Sequence, residues 1–159
     1  MHDCTTREVA VPEEVRTVAT LADPGYTYAC ELHMLGADSR SAEQWARAVF
    51  ERAPQPLRWF VVAGWIIGLR LRLGPRPSPS HVLGWRILSN APTVIVLGVE
   101  SFMLSARVVV QVRESEVIHA TLVRYERRAA RIAWAAAAPI HRRVIPFLLR
   151  RAAVHPTSA

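Results

Sequence analysis

The stretch RIAWAAAAPIHRRVIPFLLRRAA, residues 131–153, is the most regular helical pattern in the chain. Projected at about 100° per residue, its apolar side chains fall on one broad face, and arginines gather on or beside the other. The apolar face consists of Trp134, Ala136, Ala137, Ile140, Val144, Ile145, Phe147 and Leu148, with His141 in its middle. We therefore predict one long amphipathic helix that packs on a larger apolar surface.

Segments upstream of this helix alternate apolar and polar residues with the period of two that is typical of strands. One comes early, at residues 26–35, and the others follow one another at 81–88, 93–99, 102–113 and 117–127. Short turn sequences separate these later segments, which predicts antiparallel hairpins. The last helix then has a sheet to pack on.

Two shorter helices are expected between the first strand and the others. Ser41 and Gln44 have the spacing of a capping box, so a helix should run from there to Ala53. Pro54 and Pro56 end that helix and open a second one over residues 57–69. The predicted fold class is α+β: a curved antiparallel sheet wrapped around the long C-terminal helix, with two short helices after the first strand.

A chain of 159 residues is long enough for one domain with a substantial core. We assign residues 24–154 to that domain, residues 1–23 to an N-terminal arm running over the surface, and residues 155–159 to a tail. The uncharged run between Arg58 and Arg70 is shorter than the roughly 18 residues that a membrane span needs. No signal-peptide pattern is visible, which predicts a cytoplasmic protein.

The basic residues are all arginine, and the net charge is +7. Because they are spread from Arg7 to Arg151 and no recognition motif accompanies them, the sequence does not favour nucleic-acid binding. Attraction to anionic lipid is the other reading of this charge. Cys4 and Cys30 form neither a metal-binding set nor a disulfide framework, and we expect no metal and no cofactor.

The order of one strand, two helices, four strands and a long helix resembles the START-like superfamily, the SRPBCC proteins of the helix-grip fold, from about Tyr26 to Ala153. The motifs ATLVR at 120–124, RIAW at 131–134 and PIHR at 139–142 are similar to a poorly characterised bacterial family within it. The resemblance implies a cavity that binds lipids, polyketides or other apolar molecules, and some members are cyclases or dehydratases. It also implies a His and an acidic residue in the strand near Ser101, where this chain has Met103 and Ser105.

His141 is the first candidate for a functional residue, because it interrupts the apolar face of the last helix. It is either a core histidine with an ordinary hydrogen bond or a polar anchor at a cavity wall, able to orient a ligand or transfer a proton. Trp134, two helical turns earlier, should face the same way.

His119 and Tyr125 share one face of the strand 117–127. Since both faces of this strand are partly apolar, the sequence leaves open which one lines a cavity. If it is theirs, His119, Tyr125 and His141 form a polar set, with His141 and Tyr125 the candidates for acid–base catalysis. Trp85, Tyr28 and Trp65 are aromatic candidates for the pocket or for the core.

Three functions follow from this reading. The first is binding of a small apolar ligand between sheet and last helix, with the 57–69 helix as a lid. The second is an enzyme of the polyketide cyclase or dehydratase type acting on an apolar substrate. The third is a peripheral membrane or interaction protein that uses exposed arginines and aromatic rings, namely Arg142, Arg143, Arg150, Arg151, Trp59 and Trp65.

Overall fold

A computed structural model describes residues 4–155, which form an α+β fold around a curved, seven-stranded antiparallel sheet. The strands run in the spatial order β1-β2-β7-β6-β5-β4-β3. Their bounds are β1 (Thr5–Val9), β2 (Tyr26–His33), β3 (His81–Val82), β4 (Trp85–Ala91), β5 (Val94–Glu100), β6 (Leu104–Arg113) and β7 (Glu116–Tyr125). The antiparallel sheet predicted from the alternating segments is confirmed.

The helices cover both faces of the sheet. They are α1 (Glu13–Ala19), α2 (Ala42–Phe50), α3 (Gln55–Ala63) and α4 (Arg128–Val154), with a 3-10 turn at Ala37–Ser39 and a π-helical turn at Gly64–Gly68. The inner face of the sheet packs against α2, the π-helical turn and α4, and the outer face packs against α1. The long C-terminal helix is confirmed.

The N-terminal segment is more regular than the predicted arm. Residues 5–9 form the edge strand β1, paired with β2 over Thr5 to Val9, and Val15 and Ala19 of α1 are buried on the outer face. The two short helices therefore follow the second strand of the sheet. β1 escaped prediction because it is short and largely exposed, so its side chains show no alternation. The arm's first three residues and the tail beyond His155 lie outside the described residues.

Helix α2 begins where the sequence predicted. The Ser41 hydroxyl accepts a hydrogen bond of 3.2 Å from the Gln44 backbone N–H, and the Gln44 side chain accepts one of 2.8 Å from the Ser41 N–H. The same helix carries Trp45, whose indole N–H donates to the Ala37 carbonyl at 2.9 Å. The first two bonds cap the helix, and the third joins it to the 3-10 turn at Ala37–Ser39.

The segment predicted as one strand over residues 81–88 is divided by a tight turn. Leu83 and Gly84 both have positive φ, 47° and 89°, so the chain reverses there between β3 and β4. A Cβ on Gly84 would also lie 2.8 Å from the Leu73 Cβ, which explains the glycine. β4 then continues to Ala91, beyond the predicted end of the strand.

Helix α4 buries a face that is rotated relative to the prediction. Trp134, Ile145 and Leu148 are buried as expected, but Ile140 and Phe147 are partly exposed. In the C-terminal half the helix also packs on α2, and the Arg40 guanidinium donates to the Ala152 carbonyl at 2.9 Å. Among residues 4–155, no helix is both long and apolar enough to cross a bilayer.

Candidate functional site

A cavity of about 440 Å³ lies between the inner face of the sheet, α4, and α3 with the π-helical turn. Small-molecule sites have volumes of about 300–1,000 Å³, whereas voids in packed protein cores hold little more than a water molecule. The cavity is therefore the size of a ligand site. Its sheet wall consists of Trp85, Leu104, Ala106, Val108, His119 and Thr121, and its helical walls include Phe60, Val61, Trp65, Trp134, Ile140, His141 and Val144.

Small side chains create the open space. Ala106 of β6 and Thr121 of β7 line the sheet wall, and Ala133 and Ala137 line the wall formed by α4. Larger residues at these positions would fill the layer between sheet and helix as in an ordinary core. The alanines of α4 therefore leave space for the cavity, in addition to favouring the helix.

The strand β7 turns its histidine face toward the cavity. His119 and Thr121 line the cavity, while Ile118, Ala120 and Leu122 point to the outer face and pack under α1. The face of β7 that lines the cavity, which the sequence left open, is therefore that of His119, and the opposite face is also apolar because α1 covers it.

His141 of α4 meets β7 across the cavity wall. Its Nε2 and the Thr121 Oγ1 share a hydrogen bond of 3.2 Å, and its buried Nδ1 has no partner among the described residues. The ring stands edge-on to Tyr28, with 5.4 Å between the centroids, and lies 5.4 Å from the Trp134 ring. Burial, with smaller contributions from His119 and Arg142, lowers the pKa of His141 to about 3. The imidazole is therefore neutral at physiological pH.

His119 is fully buried, and neither of its ring nitrogens has a hydrogen-bond partner among the described residues. Its ring packs against Phe50, with 5.6 Å between the centroids. Burial lowers the pKa of His119 to about 4. A neutral imidazole carries one donor and one acceptor, so this residue offers both kinds of hydrogen bond within the cavity wall.

Two tryptophans add further donors. The indole N–H groups of Trp85 and Trp134 are buried and without a partner among residues 4–155, and both residues line the cavity. Unpartnered buried polar groups are costly and uncommon. Trp65 also lines the cavity and packs edge-on against Trp85, with 5.5 Å between the ring centroids.

Tyr28 and Tyr125, two of the candidates from the sequence, are not among the residues that line the cavity. Tyr28 supports the His141 ring from behind. Tyr125 stands at the end of β7, where the Arg131 guanidinium lies 5.3 Å from its ring centroid and Gly25 approaches its edge. Of the expected set, His119 and His141 line the cavity and Tyr125 does not. Thr121 is the residue that hydrogen-bonds to His141.

The arginines expected to bind anionic headgroups are partly engaged elsewhere. Arg142 forms a salt bridge of 3.1 Å with Glu8, and Arg150 donates to the Thr6 hydroxyl at 2.7 Å, so both hold β1 against α4. Arg143 is exposed. Trp65 lines the cavity, and Trp59 stays on the surface.

Several wall residues were not singled out from the sequence, among them Phe50, Ala106 and Ala133. The four successive alanines at 135–138 were a usable signal, since two of them fall on the apolar face of α4.

None of the described residues that line the cavity carries a formal charge at neutral pH. In the described part of the chain, no three His, Cys, Asp or Glu side chains are grouped so that they could hold a metal ion.

No family model matches the chain, and no curated protein matches it.

Proposed function

We propose that this protein binds a small, uncharged, largely apolar molecule in the cavity between the sheet and α4. The observation that carries the proposal is a cavity of about 440 Å³ whose apolar walls contain buried polar groups without partners. Apolar walls with a few placed polar groups are typical of ligand sites. The START-like, helix-grip assignment belongs to the same proposal, supported by the order of the elements and by the long helix across a curved sheet.

The polar groups of the wall favour a ligand with oxygen functions. The indole N–H groups of Trp85 and Trp134 can donate only, so a ligand that reaches them would pair them with carbonyl or ether oxygens. His119 can both donate and accept, which also fits a hydroxyl group. A carboxylate or phosphate is disfavoured, because the neutral wall would not compensate its loss of hydration.

Catalysis of the cyclase or dehydratase type is the second candidate, and the two histidines at the cavity wall are the observation in its favour. A general acid or base works best when its pKa is near the operating pH. The pKa values of His119 and His141, lowered to about 4 and about 3, are far from neutrality. Binding is therefore the better supported function. A His141→Ala variant that keeps full turnover on any substrate found would exclude this histidine as acid or base.

Native mass spectrometry after mild purification, together with a fluorescent probe, tests the binding proposal. N-phenyl-1-naphthylamine is neutral and apolar, and it becomes strongly fluorescent when it leaves water. We expect either a copurified small molecule in the native spectrum or saturable, one-to-one uptake of this probe. A bare protein that also fails to take up the probe would contradict the proposal.

A further inference from the structure

Exposed apolar side chains occur on the helices that form two walls of the cavity. On α3 and the π-helical turn, Trp59 is 68% exposed, Phe60 57% and Ile67 69%. Across the mouth, Ile140 of α4 is also exposed. Phe60 and Ile140 themselves line the cavity, so the exposed apolar rim and the cavity wall are continuous. Exposed clusters of large apolar residues of this kind mark interaction sites.

The mouth is open at the π-helical turn. Apart from chain neighbours and the backbone of the same helix, no described atom lies within 4 Å of the place where a Cβ on Gly64 or Gly68 would stand, and both glycines line the cavity. A molecule that leaves the cavity therefore emerges beside the apolar rim.

The two segments that form the rim are entirely free of acidic residues. Neither residues 52–99, which contain α3 and the π-helical turn, nor residues 127–155, which contain α4, include an Asp or Glu. Arg70, which follows the π-helical turn, and Arg143, one turn after Ile140, are exposed, and neither forms a salt bridge with a described residue. The two segments that form the rim thus carry apolar and positively charged side chains but no acidic ones, and Glu51, which shares a groove with Trp59, is paired with Arg47.

We infer that this surface docks on an anionic lipid bilayer, with Trp59, Phe60 and Ile67 entering the headgroup region and the arginines contacting acidic headgroups. Apolar insertion combined with cationic contacts is how peripheral proteins bind such membranes. Apolar side chains at the centre of the surface fit a bilayer better than a nucleic acid, which would present phosphates to them. Exchange of the ligand directly with the bilayer rests on the proposed function, whereas docking itself does not.

Flotation of the full-length protein with vesicles tests the docking. We expect binding to phosphatidylcholine vesicles that contain phosphatidylglycerol, weaker binding to phosphatidylcholine alone, and loss of binding as the salt concentration rises. Ile67→Glu should weaken binding by about tenfold, since the side chain would no longer leave water. Arg70→Gln and Arg143→Gln should each weaken it by about fivefold.

Matched variants on the far side of the molecule serve as controls. Leu35→Glu places the same charge on an exposed apolar residue outside the rim, and Arg16→Gln removes an exposed arginine of α1. Both should bind vesicles like the parent protein. Tryptophan quenching by brominated lipid should be strong in the parent protein and reduced in Trp59→Phe, because the other tryptophans are buried or line the cavity.

Absence of vesicle binding would overturn the inference, as would equal losses for the rim and control variants. Binding to duplex DNA in place of vesicles would also overturn it. Uptake of N-phenyl-1-naphthylamine without vesicles should be unchanged in Ile67→Glu. The docking and the cavity can therefore fail independently.

Discussion

Thr121 and His141, twenty residues apart in the chain, share the hydrogen bond that joins the sheet to the last helix at the cavity wall, with 3.2 Å between Oγ1 and Nε2. Because the His141 pKa is held far below neutrality, this is a bond between neutral groups. Removing the hydroxyl leaves a buried imidazole nitrogen without a partner, which costs more than the bond contributes.

Replacement of Thr121 by Val keeps the shape and removes the hydroxyl. We expect Thr121→Val to lower the free energy of unfolding by about 1–3 kcal/mol, measured by urea denaturation at pH 7. Thr121→Ser retains the hydroxyl and should lose less. Equal losses for the two variants would mean that the methyl group, and not the hydrogen bond, stabilises this contact.

The buried histidines should make the fold sensitive to mild acid. In the unfolded chain a histidine has a pKa of about 6.5, whereas burial lowers the pKa of the folded His119 to about 4. Between these two pH values the unfolded chain binds a proton at this residue and the folded protein does not. The stability from neutral burial is therefore present above pH 6.5 and is lost as the pH falls toward 4. Between pH 7 and pH 5 the loss attributable to His119 should be about 2 kcal/mol.

Comparison with His119→Leu isolates that contribution. The variant should lose about 2 kcal/mol less than the parent protein over the same pH range, measured from urea unfolding curves at each pH. Parallel pH profiles for the two proteins would show that His119 accepts a proton in the folded state without penalty.

Gly25 and Tyr125 should be coupled by packing. A Cβ on Gly25 would lie 2.6 Å from the Tyr125 ring, so Gly25→Ala should destabilise the fold by about 1–3 kcal/mol. In a Tyr125→Leu background the same change should cost much less. Additive effects in this double-mutant cycle, measured by urea denaturation, would place the ring elsewhere and reopen the question of a catalytic Tyr125.

Local sequence patterns predicted those features that depend only on residues close together in the chain. The alternation over 102–113 predicted the strand β6, and Ser41 with Gln44 marked the start of α2. His141 could be placed on the apolar face of α4 for the same reason. These signals arise within one element and need no knowledge of its partners.

The features that the sequence did not predict depend on contacts between distant segments. Both faces of β7 are buried because α1 covers the outer one, so alternation alone could not tell which side His119 faces. Leu149 of α4 is fully buried, although it lies off the predicted apolar face, because the end of that helix packs on α2 as well as on the sheet. The packing of the Tyr125 ring against Gly25 is likewise a contact between distant segments, and Tyr125 is not among the residues that line the cavity.

If the space between the sheet and α4 admits an apolar molecule, filling that space with a larger side chain should weaken binding. Ala137→Leu adds bulk to the cavity wall, and Ala135→Leu adds the same bulk to an exposed position of α4 that does not line the cavity. The measurement is a titration of each protein with N-phenyl-1-naphthylamine. We predict that Ala137→Leu binds the probe about tenfold more weakly than the parent protein, while Ala135→Leu is unchanged. Equal probe binding by the two variants would contradict binding of the probe in the space between the sheet and α4.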